Sequence, residues 1–398
     1  MTDQNRTAVT LHDVAREAGV SYATASRALN GSDRSVRAEN LARVREAAAR
    51  LGYTPHVSAQ AIARGSSTTV ALVVGAVDDP YFASIADGVA EGAYAAGLTL
   101  TAAVTDRSPD MGLHIVRTLR GRRPQVILIA GSRVDDDGVY AALAEELDQY
   151  RRAGGRVALL SRNGLDFPTL TVDHHGGAFR LAQALAGLGY RRFAVLHGDD
   201  RIRMSHDRRR GFLDGLRQAG ITVEDRHVIA TDLNRDGGHR AAAALLSGGA
   251  GGPVGGGRRS GNGAAGTDGD PDSRSGASGP SGTGGPSGTG GPSGTGGPSG
   301  TGGPSGAGDV EAIFAVNDVM AIGAMTAVRE AGLRPGRDVA VAGFDDIDAA
   351  RDVTPTLTSV RVPLRDLGRR AVELALAGDP AVVEVPVEVV LRDSTPPR

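Results

Sequence analysis

The chain has 398 residues, 44 basic against 46 acidic side chains for a net charge of −2, and no cysteine. That composition excludes a disulfide framework and a thiolate metal site and fits a reducing, cytoplasmic setting. No apolar run reaches the roughly 18–20 residues of a membrane helix, and the opening MTDQNRTAVT lacks the basic-then-apolar pattern of a secretory signal, so none is expected. Length alone suggests two or three domains.

The first elements in chain order are three short helices. Thr10 and Asp13 have capping-box-like spacing before a helix that would bury Leu11, Val14, Ala15 and Ala18, and Gly19 permits a sharp exit. Ser21 then caps a second helix. At about 100° per residue, Ala25, Ala28 and Leu29 share its inner arc, and Tyr22, Ala23, Ser26 and Arg27 share the outer one. A phenol, a methyl, a hydroxyl and a guanidinium on one arc are what a major-groove reader presents. The same pattern also fits a generic helical hairpin with a solvated Arg and Tyr. A third helix, from about Arg37 to Leu51, would turn Leu41, Val44, Ala47, Ala48 and Leu51 inward and close the unit. Residues 1–64 hold nine Arg against six acids, so a basic headpiece stands on an acidic body, an expected footprint for DNA binding.

From Thr68 the pattern alternates. TVALVVGAV reads as a strand, ASIADGVAEGAYAAG as a helix and LTLTAAVT as a strand, and the alternation continues through QVILIAG, VYAALAEELDQYRRAG, RVALLS, AFRLAQALAGLG, RFAVLHG and GFLDGLRQAG. Such alternation implies parallel sheets covered on both faces, with ligands at the carboxyl ends of the strands. Asp79, Tyr81 and Phe82 follow the first strand, Asn317 and Asp318 follow AIFAV, and Asp345 and Asp346 follow VAVAGF. Carboxylates and an amide there suit a polyol, with Tyr81 and Phe82 as an apolar face. Each of these acidic or amide groups also fits a plain helix N-cap, Asp318 and Asp346 above all. His174 and His175 are adjacent, which rules out an i, i+4 metal pair; His174 is placed at a strand end facing ligand, and His197 and His206 have no evident partners in the sequence.

TLHDVAREAGVS followed by SRALNGS and LGY-x-P resembles the headpiece of the LacI/GalR family of transcriptional repressors, and the likeness runs on through DPYF, SRN, TVDHHGGA, RRGF, IFAVNDVMAIGA, VAVAGFDDID and PTLTSVRVPLRDLGRRA. The resemblance implies an all-α helix-turn-helix headpiece (1–54), a hinge helix or linker (55–67) and an α/β periplasmic-binding-protein-like core (68–398) of two parallel-sheet subdomains. One subdomain would hold about 68–163 plus 355–378, the other about 167–346 plus the C-terminal tail. It implies DNA contacts from Thr10, Ser21, Tyr22, Ala23, Ser26, Arg27 and Asn30, with Ile62 as the minor-groove wedge, and it assigns effector binding to Arg208, Asn317 and Asp345 beside Asp79, Tyr81, Phe82 and His174. Three positions depart from the family pattern. Leu233 stands where relatives often have an aromatic, the hinge reads PHVSAQAI, and Arg37 replaces a capping Ser, leaving Ser35 or water to cap that helix.

Residues 247–309 have no counterpart in the family. They are rich in Gly, Ser, Pro, Thr and Asp, and GPSGTG occurs four times from Gly279 before GPSGAG at Gly303. Such a segment buries too little apolar surface to offset its ordering entropy and is expected to be disordered and dispensable. No Gly-Lys-Ser/Thr makes it a phosphate loop, and the run Asp268, Asp270, Asp272 lacks the closing Glu of a calcium loop. GAVDDPYF is not a dinucleotide fingerprint and no nucleophile elbow occurs, so no enzyme activity, cofactor, metal or catalytic residue is expected. The sequence reads as a cytoplasmic, operator-binding repressor, a homodimer or dimer of dimers controlled by a small polar effector, with a sugar favoured by the resemblance. A corepressor-dependent regulator or activator answering to a purine-like metabolite, and a solute receptor, are the alternative readings.

Overall fold

The computed structural model describes residues 9–29, 36–54, 67–131, 137–161, 165–248, 309–378 and 380–398. Asn30, Ser35, the hinge segment 55–66 with Ile62, and the repeat segment 249–308 lie outside the described residues.

The headpiece consists of α1 (Leu11–Glu17), α2 (Tyr22–Leu29) and α3 (Ala38–Leu51). At the start of α1 the Asp13 carboxylate accepts from the Thr10 backbone N–H at 3.0 Å and from its hydroxyl at 2.7 Å. The Ser21 hydroxyl accepts from the Thr24 N–H at 3.2 Å and so caps α2. Val14, Ala15, Ala18, Ala25, Ala28, Val44, Ala47 and Ala48 form the buried centre, with Leu11, Leu29, Leu41 and Leu51 packed around it. Gly19 makes the turn at φ +61°, a conformation that costs glycine little. Arg37 occupies the N-cap of α3 and supplies no side-chain cap.

Beyond residue 67 come β1 (Thr69–Val74), α4 (Pro80–Ala95), β2 (Thr99–Val104), α5 (Pro109–Arg122), β3 (Val126–Ala130), α6 (Asp137–Arg152), β4 (Arg156–Leu159) and β5 (Thr169–Val172). The second half continues with α7 (His174–Gly187), β6 (Phe193–His197), α8 (Arg203–Gln218), β7 (Val228–Ala230), α9 (Arg235–Leu246), β8 (Ala312–Ala315), α10 (Asp318–Glu330) and β9 (Ala340–Ala342). The chain ends with α11 (Ala349–Asp352), β10 (Ser359–Arg361), α12 (Leu364–Ala377), β11 (Val382–Val385) and β12 (Glu388–Val390).

Two parallel sheets result, β2-β1-β3-β4-β5-β11 and β7-β6-β8-β9, with β10 and β12 paired antiparallel. Strand β1 shows why both faces are covered. Val70, Leu72 and Val74 face one core, shared with Ile85 and Val89 of α4, and Ala71 and Val73 face the other, shared with Val116 and Leu119 of α5 and Leu147 of α6.

The subdomain boundary differs from the sequence reading in two places. Strand β5 and strand β11 both belong to the first sheet and not to the second subdomain: Thr169 to Val172 pair in register with Val382 to Val385. The Leu159 N–H donates to the Pro168 carbonyl at 2.9 Å and the Thr169 N–H to the Ala381 carbonyl at 2.8 Å. Hydrogen-bond partners assign a strand to a sheet, and those partners lie more than 200 residues away along the chain. The chain therefore passes between the halves after β5, around β10 and after β11.

Helices α4 and α12 meet with unusually small separation because Gly88 and Gly368 face each other's neighbours. A Cβ on Gly88 would overlap the Arg365 carbonyl oxygen, and one on Gly368 the Ile85 carbonyl oxygen. Gly88→Ala is expected to cost about 1–3 kcal/mol through forced backbone displacement and to lower the melting temperature by several degrees. Gly121→Ala on α5, where a Cβ meets no atom within 4 Å, should instead be neutral or stabilising by roughly 0.5–1 kcal/mol. Equal melting temperatures for the two variants would refute the packing account.

Candidate functional site

The carboxyl ends of the strands gather most of the side chains selected from the sequence. Asp79, Tyr81, Phe82, His174, Arg208, Asn317 and Asp345 all line one cavity between the two halves. Asp79 caps α4, its carboxylate accepting from the Tyr81 N–H at 3.1 Å, and Asn317 caps α10, its amide oxygen accepting from the Met320 N–H at 2.9 Å. Both thus combine a capping role with a place on the cavity wall, and Asn317 retains its amide N–H groups for other partners.

Arg208 on α8 is the centre of the cluster and only 1 % exposed. Its Nη2 donates to Asp345 Oδ1 at 2.6 Å, its Nη1 to the Val316 carbonyl at 2.8 Å and its Nε to His174 Nδ1 at 3.2 Å. The guanidinium lies 3.9 Å from the centroid of the Phe344 ring, a cation–π contact. Because His174 Nδ1 accepts, the neutral ring carries its proton on Nε2. Burial, with the Arg208 charge next, holds this His well below its ordinary range, so it stays a neutral donor at physiological pH. Burial pushes the Asp345 carboxyl up to about 6, with Arg208 opposing the shift. Burial likewise raises Asp79 and Tyr81. The wall therefore offers one ion-paired carboxylate as acceptor and imidazole and amide N–H groups as donors.

Asp345 is held at φ +112° and Asp346 at φ +55°, a region that side-chain-bearing residues enter at about 1–3 kcal/mol each. The neighbouring strand supports this turn. The Asp345 N–H donates to the Val360 carbonyl at 2.9 Å and the Asp346 N–H to the Ser359 hydroxyl at 3.0 Å. Asp318 braces it from behind, its carboxylate accepting from the Ser359 hydroxyl at 2.6 Å and from the Ile347 N–H at 2.9 Å. Burial, reinforced by the Asp345 charge, raises Asp318 well above the usual carboxylate range.

The N-cap alternative for Asp318 and Asp346 is corrected here. Asn317 is the cap, Asp318 is the brace, and Asp346 is ion-paired with Arg361 at 2.8 Å and Arg392 at 2.6 Å. Sequence reasoning also missed Arg107, which pairs with Asp79 at 2.9 Å across the cavity mouth, and the brace from Ser359. Spacing could not reveal either, because Arg107 follows the next strand and Ser359 belongs to a crossing segment. Two histidines have local partners after all: buried His197 is 2.7 Å from the Gly198 carbonyl, and His206 is 3.4 Å from Asp207. Leu233 is buried and lines the cavity. Among the described residues no group of three or more His, Asp or Glu side chains is placed to hold a metal ion, and no helix is long and apolar enough to cross a membrane.

In the headpiece, Tyr22, Ala23 and Arg27 are exposed along α2 and Ser26 is half-buried. Tyr22 is 49 % exposed and stacks on His12 with ring centroids 4.4 Å apart. Arg27 Nε donates to the Ala23 carbonyl at 3.1 Å, so the side chain lies along its own helix. Thr10 and Ser21 sit at the N-termini of α1 and α2. Asn30 and Ile62, the remaining two of the DNA-contact set, lie outside the described residues.

Comparison with known proteins matches this division. Residues 10–56 match the model for bacterial regulatory proteins of the lacI family, and residues 67–254 match the model for periplasmic binding proteins and the sugar-binding domain of the LacI family. Residues 297–395 match a periplasmic binding protein-like domain. Catabolite control protein A of Priestia megaterium is 24% identical over 396 residues, covering 97% of this chain and 99% of that protein. The HTH-type transcriptional regulator GalR of Escherichia coli (strain K12) is 28% identical over 370 residues, covering 92% and 88%. Among solved structures, the transcriptional regulator CelR–cellobiose complex superposes with a TM-score of 0.60 at 25% identity, covering 97% of this chain and 99% of that one. The lac repressor dimer bound to operator and the anti-inducer ONPF shares the fold at a TM-score of 0.69 and 22% identity, covering 98% and 100%. The two lacI-family matches together span more than half of the chain, one on the three-helix unit and one on the sheet-and-helix core, and the chain belongs to the LacI/GalR family of transcriptional regulators.

Proposed function

We propose that this protein is an operator-binding transcriptional repressor whose affinity for DNA is set by a small polar effector, a sugar by class, bound at Arg208 and Asp345. The observation that carries this reading is the convergence of Arg208, Asp345, His174, Asn317 and Asp79 on one cavity, in a chain that also exposes Tyr22, Ala23 and Arg27 on a helix-turn-helix. Relatives support it: one solved neighbour is a complex with cellobiose and another a repressor dimer on operator. The division proposed is a headpiece (1–54), a hinge (55–67) and an effector core (68–398) interrupted by the dispensable segment 247–309. A homodimer or dimer of dimers acts in the cytoplasm, on the nucleoid when operator-bound, without enzymatic activity.

The route from effector to DNA follows from the backbone. Asp345 touches the cavity with its side chain and β10 with its main chain, and β10 leads directly into α12 of the first half. A ligand that draws on the carboxylate therefore acts on a segment joining the halves. By linkage, effector and operator change each other's affinity by the same factor, typically about 5–150-fold. Asp345→Asn should abolish the response while leaving effector-free operator binding within a few-fold, as read by fluorescence anisotropy. Loss of operator binding in a variant with unchanged melting behaviour would assign Asp345 to structure alone.

Two predictions refine the site. Asp345 takes up a proton as pH falls through about 6 and then no longer serves as an anionic acceptor, so effector binding should weaken from pH 7 to pH 5 and should release protons near pH 6. Its contribution to stability has the opposite sense, present at low pH and lost as pH rises through that value. Calorimetry in buffers of different ionisation enthalpy reads the proton release, and pH-independent affinity would contradict the role. Asp318→Asn, which copies the shape of a neutral acid, should keep effector affinity within a few-fold. Asp318→Ala, which removes the brace, should weaken it more than tenfold, and equal affinities for the two would remove Asp318 from the account.

Operator reading rests on Arg27, whose guanidinium suits a bidentate contact with a guanine edge. Arg27→Ala should cost about 1–3 kcal/mol at one base pair of each half-site and blur the preference there. Equal weakening on operator and random duplexes would show that it holds phosphate only.

A further inference from the structure

The cavity around Arg208 has two unlike walls. Arg208, His174, Asn317 and Asp345 approach from the second half, and the one charged pair from the first half, Asp79 with Arg107, neutralises itself at 2.9 Å. Opposite stand Val73, Val116, Ile129, Leu143, Leu147 and Leu159, from β1, α5, β3, α6 and β4, which also form or pack on the smaller apolar core of the first half. The hydroxyls on that side are already engaged with backbone: Thr105 donates to the Val74 carbonyl at 3.2 Å, Ser161 to the Gly131 carbonyl at 2.6 Å, and Ser108 caps α5.

A free hexose carries hydroxyls around its whole ring. Pressed between these walls, those facing the aliphatic side would be buried without partners, which opposes binding. A ligand polar at one end and apolar at the other meets both walls on their own terms, and Leu233 extends the apolar lining.

We propose that the effector is a conjugate, a small polyhydroxylated head bound at Arg208 and Asp345 that carries an alkyl or aryl substituent against the aliphatic wall. The head rests on the effector reading above, and the substituent rests on the wall alone.

The test uses the full chain and matched ligand pairs in calorimetry, methyl against phenyl and methyl against hexyl, each as the β-glucopyranoside and the β-galactopyranoside. Phenol and 1-hexanol serve as headless probes by ligand-observed NMR. The phenyl or hexyl member should bind at least tenfold more tightly than its methyl partner. Leu143→Gln, or Ile129→Thr as a second variant at a half-buried position, should erase that advantage and leave the methyl glycoside unchanged. Methyl glycosides binding as tightly as their partners would overturn the proposal. If no glycoside binds while phenol or hexanol does, and Leu143→Gln removes that signal, the apolar wall stands and the sugar head fails. Binding by neither glycosides nor headless probes overturns the apolar wall itself.

Discussion

The ion pair between Arg208 and Asp345 is the interaction on which the site depends. Both groups are removed from water, and an isolated charge in such a place is expensive, so the pair persists only because each end is further satisfied. Arg208 spends its remaining directions on the Val316 carbonyl, the His174 ring nitrogen and the face of Phe344. Removing one partner of such a pair typically costs about 3–5 kcal/mol because the other is left unpaired. The same pairing fixes the His174 tautomer, so one guanidinium sets the donor and acceptor pattern of the whole wall.

The position of Asp345 is as informative as its charge. A carboxylate on a left-handed backbone position would not persist in an unsupported loop, and here three hydrogen-bonding groups hold the turn, from Val360, Ser359 and Asp318. The support comes from the segment that returns to the first half. Strain at a ligand-binding residue, held by a connection between subdomains, ties ligand binding to subdomain placement through ordinary backbone hydrogen bonds. In the headpiece the logic is simpler. An alanine-rich interior lets three short helices approach closely, and α2 is left with Tyr22, Ala23 and Arg27 outward.

Much of the fold was legible in the sequence because period and capping are local. The box at Thr10 and Asp13, the inner arc of α2 and the all-buried run of β1 each follow from residues within a few positions of one another. The rule that ligands collect at strand ends selected Asp79, Asn317 and Asp345, and family likeness added Arg208. The brace at Asp318, the pairing of Asp79 with Arg107 and the two-sided ion pairing of Asp346 were not legible, since their partners lie on other strands.

The sequence by itself determined the alternation of strands and helices, the helix-turn-helix with its outward side chains, and the identity of the groups at the strand ends, because each depends on short-range periodicity and turn chemistry. Tertiary structure alone decided that β5 and β11 belong to the first sheet, that Asp318 braces the Asp345 turn, and that one wall of the cavity is aliphatic. These depend on which distant segments become neighbours, and hydrogen-bond ladders and burial settle that only when the whole chain has closed.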